Sequence, residues 1–114
     1  MNEVRKVVAY QDHFEKFLLS QTEKVQDKIL KVITIIETME RVPTKYLKII
    51  HDGLYEARIQ LGSNIWRIFC FFDNGNLIVL LNWFQKKTQK TPKQEIKKAI
   101  SLMNAYYKEK EHGR

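Results

Sequence analysis

Three scarcities narrow the class of this chain. Cys70 is its only cysteine, so no disulfide can form within the chain and a cysteine-based zinc site is excluded. It lies between Phe69 and Phe71 in an apolar run, where a thiol is expected to be buried and inert. Glycines number 4 and prolines 2. No linker, repeat or low-complexity tract is visible, and there is no glycine-rich phosphate loop and no nucleophile elbow. Acid is scarce as well: 13 Asp and Glu face 20 Lys and Arg, for a formal net charge of +7. No apolar run approaches the roughly 20 residues of a membrane span. Met1 to Tyr10 has no apolar signal core. The reading is a cytoplasmic protein with no membrane partner.

What is present fits one domain spanning 1–114. Hydrophobic residues make up 44% of the 114, enough for one packed core and too little chain for two. The surplus of cations points to a polyanion, nucleic acid first, provided that the charges cluster.

The pattern predicts an α+β fold, a small antiparallel sheet with helices on one face, in the order β-α-α-β-β-β-α. Val4 to Tyr10 reads as a first strand. Asp12 with Glu15, then Ser20 with Glu23, mark the starts of two helices. Val25, Ile29, Val32, Ile33 and Ile36 give the second one its apolar stripe, with Lys24, Lys28 and Lys31 on the opposite face. Arg41 to Pro43 should end it, and Pro43 to Asp52 reads as a loop. The period then becomes two: Tyr55, Ala57, Ile59 and Leu61 alternate with Leu54, Glu56, Arg58 and Gln60. Ile65 to Phe72 and Leu77 to Phe84 complete a meander, turning at Gly62 to Asn64 and at Asp73-Asn74-Gly75-Asn76. Thr91 as N-cap and Pro92 at the first helical position announce a last helix, with Ile96, Ala99, Ile100 and Met103 buried.

Two clusters carry candidate chemistry. Lys86, Lys87 and Lys90 precede a helix N-terminus, which favours anions. Lys93, Lys97 and Lys98 read as a solvated helix face. Arg58 and Arg67 fall on neighbouring strands, and an arginine inside Ile65 to Phe72 is costly unless paired or functional. An ion pair of either arginine with Glu56 and a phosphate site are equally open on spacing alone. His13, His51 and His112 have no metal-ligand spacing, and only His51 is placed to approach a site. Chemistry here would use arginines, lysines and an acid or phenol, with no metal and no cofactor.

The segments Gly53-Leu54-Tyr55-Glu56-Ala57-Arg58-Ile59, Trp66-Arg67-Ile68-Phe69 and Phe84-Gln85-Lys86-Lys87-Thr88-Gln89-Lys90-Thr91-Pro92 resemble the RelE/HigB superfamily of bacterial toxins, in particular its phage-derived Gp49-like branch. The last segment is the most specific. The resemblance implies a type II toxin–antitoxin system: an endoribonuclease that cuts mRNA on the ribosome by metal-free 2′-hydroxyl attack, held in check by a cognate helix-turn-helix antitoxin. It implies catalytic roles for Arg58, Arg67, Lys86 and Lys87, with Glu56 orienting an arginine, and RNA contacts at Lys90, Lys93, Asn82 and Phe84. Many relatives carry a histidine where this chain has Asn82-Trp83. Asparagine cannot relay a proton, which leaves Lys86, Lys87, His51, Tyr106 and Tyr107 as candidate acids and bases. A ParE-like inhibitor of DNA gyrase and a non-catalytic RNA-binding module are the competing readings. The strand arginines and the lysine cluster favour the nuclease.

Overall fold

The computed structural model describes residues 3–88 and 90–113. Its elements are β1 (Lys6–Ala9), α1 (His13–Leu19), α2 (Glu23–Thr38), β2 (Leu47–His51), β3 (Leu54–Leu61), β4 (Asn64–Asp73), β5 (Leu77–Gln85) and α3 (Lys93–His112). The α+β class and the expected succession of elements hold, with one strand more than the pattern announced. The sheet order is β1-β5-β4-β3-β2. The meander of β3, β4 and β5 is antiparallel, whereas β1 joins β5 in parallel, so the sheet is mixed. β5 is interior to the sheet, which explains why Leu77 to Phe84 is almost wholly apolar.

The added strand, β2, lies in the stretch expected as a loop. Leu-Lys-Ile-Ile-His lacks a clean alternation because β2 is an edge strand, paired only with β3. Leu47 is buried while Ile49 is exposed. Its pairing partner, not its own period, makes it a strand. The expectation of helices on one face is also corrected. Phe17 of α1 and Val25, Ile29, Val32 and Ile36 of α2 pack on Ala57, Ile59, Trp66, Ile68, Cys70, Ile78 and Leu80. α3 covers the reverse face, where Ala99 joins Leu54, Phe69, Phe71, Val79, Leu81 and Phe84. Both faces of β4 and β5 are therefore apolar, and two-fold alternation cannot show through in them.

Helix ends shift by a residue or two from the sequence expectation. Thr22, not Ser20, caps α2 through a bond from the Val25 amide. Pro92 has ψ 130° and stands just outside α3 rather than inside it. α2 ends at Thr38, before Pro43, because Arg5 collects the last carbonyls: its guanidinium donates to Ile36, Met39 and Glu40. A cation at a helix C-terminus also complements the dipole. The β4–β5 turn follows the Asn-Gly signal, with Asn74 at φ 57° and Gly75 at 84°.

One irregularity matters for the site. The β4–β5 register moves from Cys70↔Leu80 to Ile68↔Trp83, so β5 spends one extra residue there, a β-bulge. Leu81 and Asn82 both serve the α3 face: Leu81 packs in it and Asn82 bonds α3 at Glu95. Beyond the bulge, Trp83 returns to the α1 side and stacks on Phe17 at 4.4 Å between ring centroids. Phe84 packs on Phe69.

α3 is clamped at its far end. Asp73, buried at the end of β4, accepts the Tyr106 hydroxyl at 2.5 Å and Lys110 Nζ at 2.9 Å. The Tyr106 bond, helped by Lys110, holds the Asp73 carboxyl below its usual range. The same bond pushes Tyr106 up to about 12. A carboxyl depressed in the folded state stabilises it above the unfolded value of about 3.9, and that contribution is lost as pH falls through the folded value. Asp73→Asn is expected to cost about 2 kcal/mol at neutral pH and to flatten the stability loss below about pH 4. Urea midpoints across pH 3 to 7 check both effects.

Candidate functional site

β2 ends its pairing with β3 at Leu47↔Ala57. Past that point β3 has no neighbouring strand on its outer side. The Pro43–Tyr46 turn closes against it instead, with the Arg58 amide donating to the Tyr46 carbonyl at 2.8 Å. The space so left is a polar cleft of about 560 Å³ lined by Lys28, Lys45, Tyr46, Arg58, Gln60 and Arg67 among others. It lies between α2, the turn and the open stretch of β3.

Arg58 and Arg67 are direct cross-strand partners. Two guanidiniums so placed repel, and Glu56 stands between them. One oxygen, Glu56 Oε2, lies 3.2 Å from Nε of Arg58 and 3.2 Å from Nε of Arg67. These are ion-pair distances without hydrogen-bond alignment, since both Nε atoms and Glu56 Oε1 lack a hydrogen-bond partner. The attraction is therefore coulombic. The Glu56 side chain is 4% exposed, that of Arg67 7% and that of Arg58 26%. Arg67 adds a bond from Nη1 to the Trp66 carbonyl, and Arg58 a long one to Thr44. Burial, and then the neighbouring Arg58, lower the Arg67 pKa, although a guanidinium stays charged.

Lys86 belongs to the same group. Its amide bonds the Ile65 carbonyl at 2.8 Å, extending the β4–β5 ladder past Gln85. Desolvation lowers its pKa first, followed by the field of Arg67, with Arg58 and Lys48 adding to it and Glu56 opposing. Lys86 is thus the ammonium brought nearer to releasing its proton. Lys87, Lys90 and Lys93 are exposed, on the segment leading to α3 and at its first residue. Gln89 of that segment lies outside the described residues.

The structure thus gathers Glu56, Arg58, Arg67 and Lys86 into one cluster and leaves Lys87, Lys90 and Lys93 on the surface. Two residues expected to touch RNA are placed otherwise. Phe84 is 7% exposed and packs on Phe69, so its face is not open to a base. Asn82 is buried, and its amide nitrogen is spent on the Glu95 carbonyl and carboxylate. Among the alternative acids and bases, Tyr106 is bound to Asp73, six residues along β4 from Arg67, or about 20 Å. Tyr107 is its neighbour, and His51 sits at the β2–β3 turn towards that same end. Lys28, Lys45, Tyr46 and Lys48 were not singled out as site residues by the sequence. Their approach depends on how α2 and the turn meet β3, which no local pattern encodes.

The sequence model of the phage-derived protein Gp49-like family matches residues 16–104. The chain belongs to that family. The match includes α2, the turn and all the strand residues of the cleft, and the motif resemblance named the same branch. Among solved structures, this Gp49-like chain is similar to one in an archaeal RelE–RelB complex from Pyrococcus horikoshii OT3, at 19% identity and a TM-score of 0.48, covering 69% of this chain and 91% of the other. No curated protein matches it. Among the described residues, no helix is long and apolar enough to cross a membrane.

Removing the shared carboxylate should be the most damaging single change in the cleft. Glu56→Gln leaves the buried Arg67 guanidinium facing the half-buried one of Arg58, with an expected cost of about 3 kcal/mol or more. Arg58→Gln, at the more exposed position, should cost less than half of that. Thermal or urea melts of the two variants decide it, and equal losses would show that Glu56 is not the common support of both arginines.

Proposed function

We propose that this Gp49-like chain is the toxin of a type II toxin–antitoxin pair and cuts mRNA on the ribosome by 2′-hydroxyl attack. The observation that carries the reading is the pair of cross-strand guanidiniums on one buried carboxylate, at the wall of a cationic cleft open to solvent. Family membership and the motif resemblance support it. In such a cut the 2′-oxygen loses its proton and bonds to phosphorus, and the bond to the 5′-oxygen breaks as that oxygen takes a proton from water, giving a 2′,3′-cyclic phosphate and a free 5′-hydroxyl. Negative charge grows on the non-bridging oxygens on the way. A guanidinium can bond two of those oxygens at once, and its charge does not depend on pH.

The roles follow from placement. With Nε beside Glu56 and Nη1 bonded to the Thr44 or Trp66 carbonyl, each arginine is held in place and keeps Nη2 for phosphate. Lys86, with its lowered pKa, is the group suited to take the 2′-hydroxyl proton. Lys87, Lys90 and Lys93 are suited to docking on ribosomal RNA. A cognate helix-turn-helix antitoxin would neutralise the cationic surface between events. The gyrase-inhibitor alternative has no use for a pair of guanidiniums held on one buried carboxylate.

Single-turnover cleavage on programmed ribosomes tests the assignment. Arg67→Ala, folding confirmed, should slow the cut at saturation by about a hundredfold or more, as for other removed donors to transition-state charge. Lys87→Ala should instead weaken binding and flatten its salt dependence. A base works deprotonated, so the unmodified rate should rise with pH until Lys86 has lost its proton. Lys86→Arg should abolish that rise. Cleavage by Arg67→Ala at the unmodified rate would return the arginines to a purely structural ion-pair role.

A further inference from the structure

The cleft has a wall that the motifs do not mention. Lys28 of α2 lines the cleft together with Arg58 and Arg67, although α2 packs on the sheet face opposite to that of the arginines, so the cleft wraps round the open edge of β3. Lys24 and Lys31 are the residues four before and three after Lys28, so all three lie on one flank of the helix. They span about 10 Å of its axis at 1.5 Å per residue. Lys24 and Lys31 are exposed and Lys28 is half-buried. Among the described residues none of the three, nor Lys45 opposite, has a carboxylate within ion-pair reach. Asp27 stands on the adjoining row and pairs with none of them.

We infer that this flank of α2 is the track on which a single-stranded RNA lies as it enters the arginine cleft. The inference rests on the nuclease reading and adds the direction of approach: past α2 and over the open stretch of β3, with the phosphates on Lys24, Lys28 and Lys31. Charge complementarity selects the occupant. A row of unneutralised ammonium groups continuous with the cleft suits a chain of phosphates, each contact releasing a counterion. The flank carries none of the large exposed apolar side chains that a protein interface would use as anchors. The exposed leucine of α2, Leu30, is 47% exposed and projects about 160° round the helix from Lys28, at 100° per residue. A protein partner has that opposite flank to grip.

The experiment compares two double variants of the full chain with equal loss of charge. One is Lys24→Gln with Lys31→Gln. The other is Lys97→Gln with Lys98→Gln, on the exposed face of α3. Binding of a fluorescein-labelled single-stranded RNA carrying a 2′-deoxy block at the scissile position is followed from 50 to 200 mM salt. The α2 pair should weaken binding about tenfold or more and reduce the slope of log affinity against log salt by about 1.4, for two lost contacts at 0.7 each. The α3 pair should change neither. Equal losses in the two variants, or no loss with the α2 pair, overturn the track. So does an α2 variant that keeps RNA binding but loses a co-expressed acidic antitoxin, because the flank then belongs to the protein partner. If the unmodified protein binds the RNA but never cuts unblocked mRNA, the nuclease reading falls while the slopes still decide the track. No RNA binding by the unmodified protein overturns the track, and cleavage on programmed ribosomes then decides the nuclease reading by itself.

Discussion

One carboxylate holds two guanidiniums that would otherwise repel each other across neighbouring strands. Glu56 can do this because it lies on the same strand as Arg58, two residues away and on the same face, and one strand from Arg67. The energetic cost is real: burying Glu56 and Arg67 strips both of water, and only close opposite charge offsets that. The arrangement therefore demands a rigid frame, and the sheet supplies it. β4 is flanked on both sides and Arg67 cannot swing out, while Arg58 is fixed through its backbone to the Tyr46 turn. Fixed dipoles and charges cost no reorganisation when charge develops on a bound group.

The same frame explains where the cleft opens. A sheet covered on both faces leaves only its rim for binding. Here α3 closes one face and α1 with α2 the other, and the cleft opens at the rim where β2 is too short to cover β3. Charge gathers there from α2, the turn before β2 and the β3–β4 pair, and the residue following β5 stands beside the same arginines. None of them alone is unusual. Among the described residues, Arg58 and Arg67 are the two of these cations within ion-pair reach of the buried Glu56.

Much of this was legible in the chain. The alternation from Gly53 onward put Glu56 and Arg58 on one face of a strand and Arg67 on its neighbour, while the register that brings all three to a shared face came with the structure. The Asn74-Gly75 turn and the stripe of α2 were equally plain. Other features were hidden for definite reasons. β2 is a strand because β3 pairs with it, and its own five residues do not say so. The reverse-face position of α3 was obscured because β4 and β5 are apolar on both sides, so their pattern cannot report which face a helix covers. Asn82 and Phe84 sit in a segment with motif character, yet one ties α3 to the sheet and the other fills the core. Lys28, Lys45 and Tyr46 join the cleft only through tertiary approach. A lysine on a helix flank looks the same in sequence whether it faces open water or lines a cleft.

The bulge in β5 sets the parity of everything downstream of it. Up to Leu81 the odd-numbered residues of the strand serve the α3 face, and from Asn82 onward the even-numbered ones do. Lys86 is even. Its place beside Arg67, Arg58 and Glu56 follows from one supernumerary residue, four positions upstream, that contributes no charge of its own. A strand of uninterrupted pleat would carry the same lysine to the α2 side of the sheet and exchange the places of Trp83 and Phe84, against two cores of different shape. The aromatic packing on either side of the sheet therefore works as a lock on that count, keeping the side of the lysine fixed by residues that never meet a substrate.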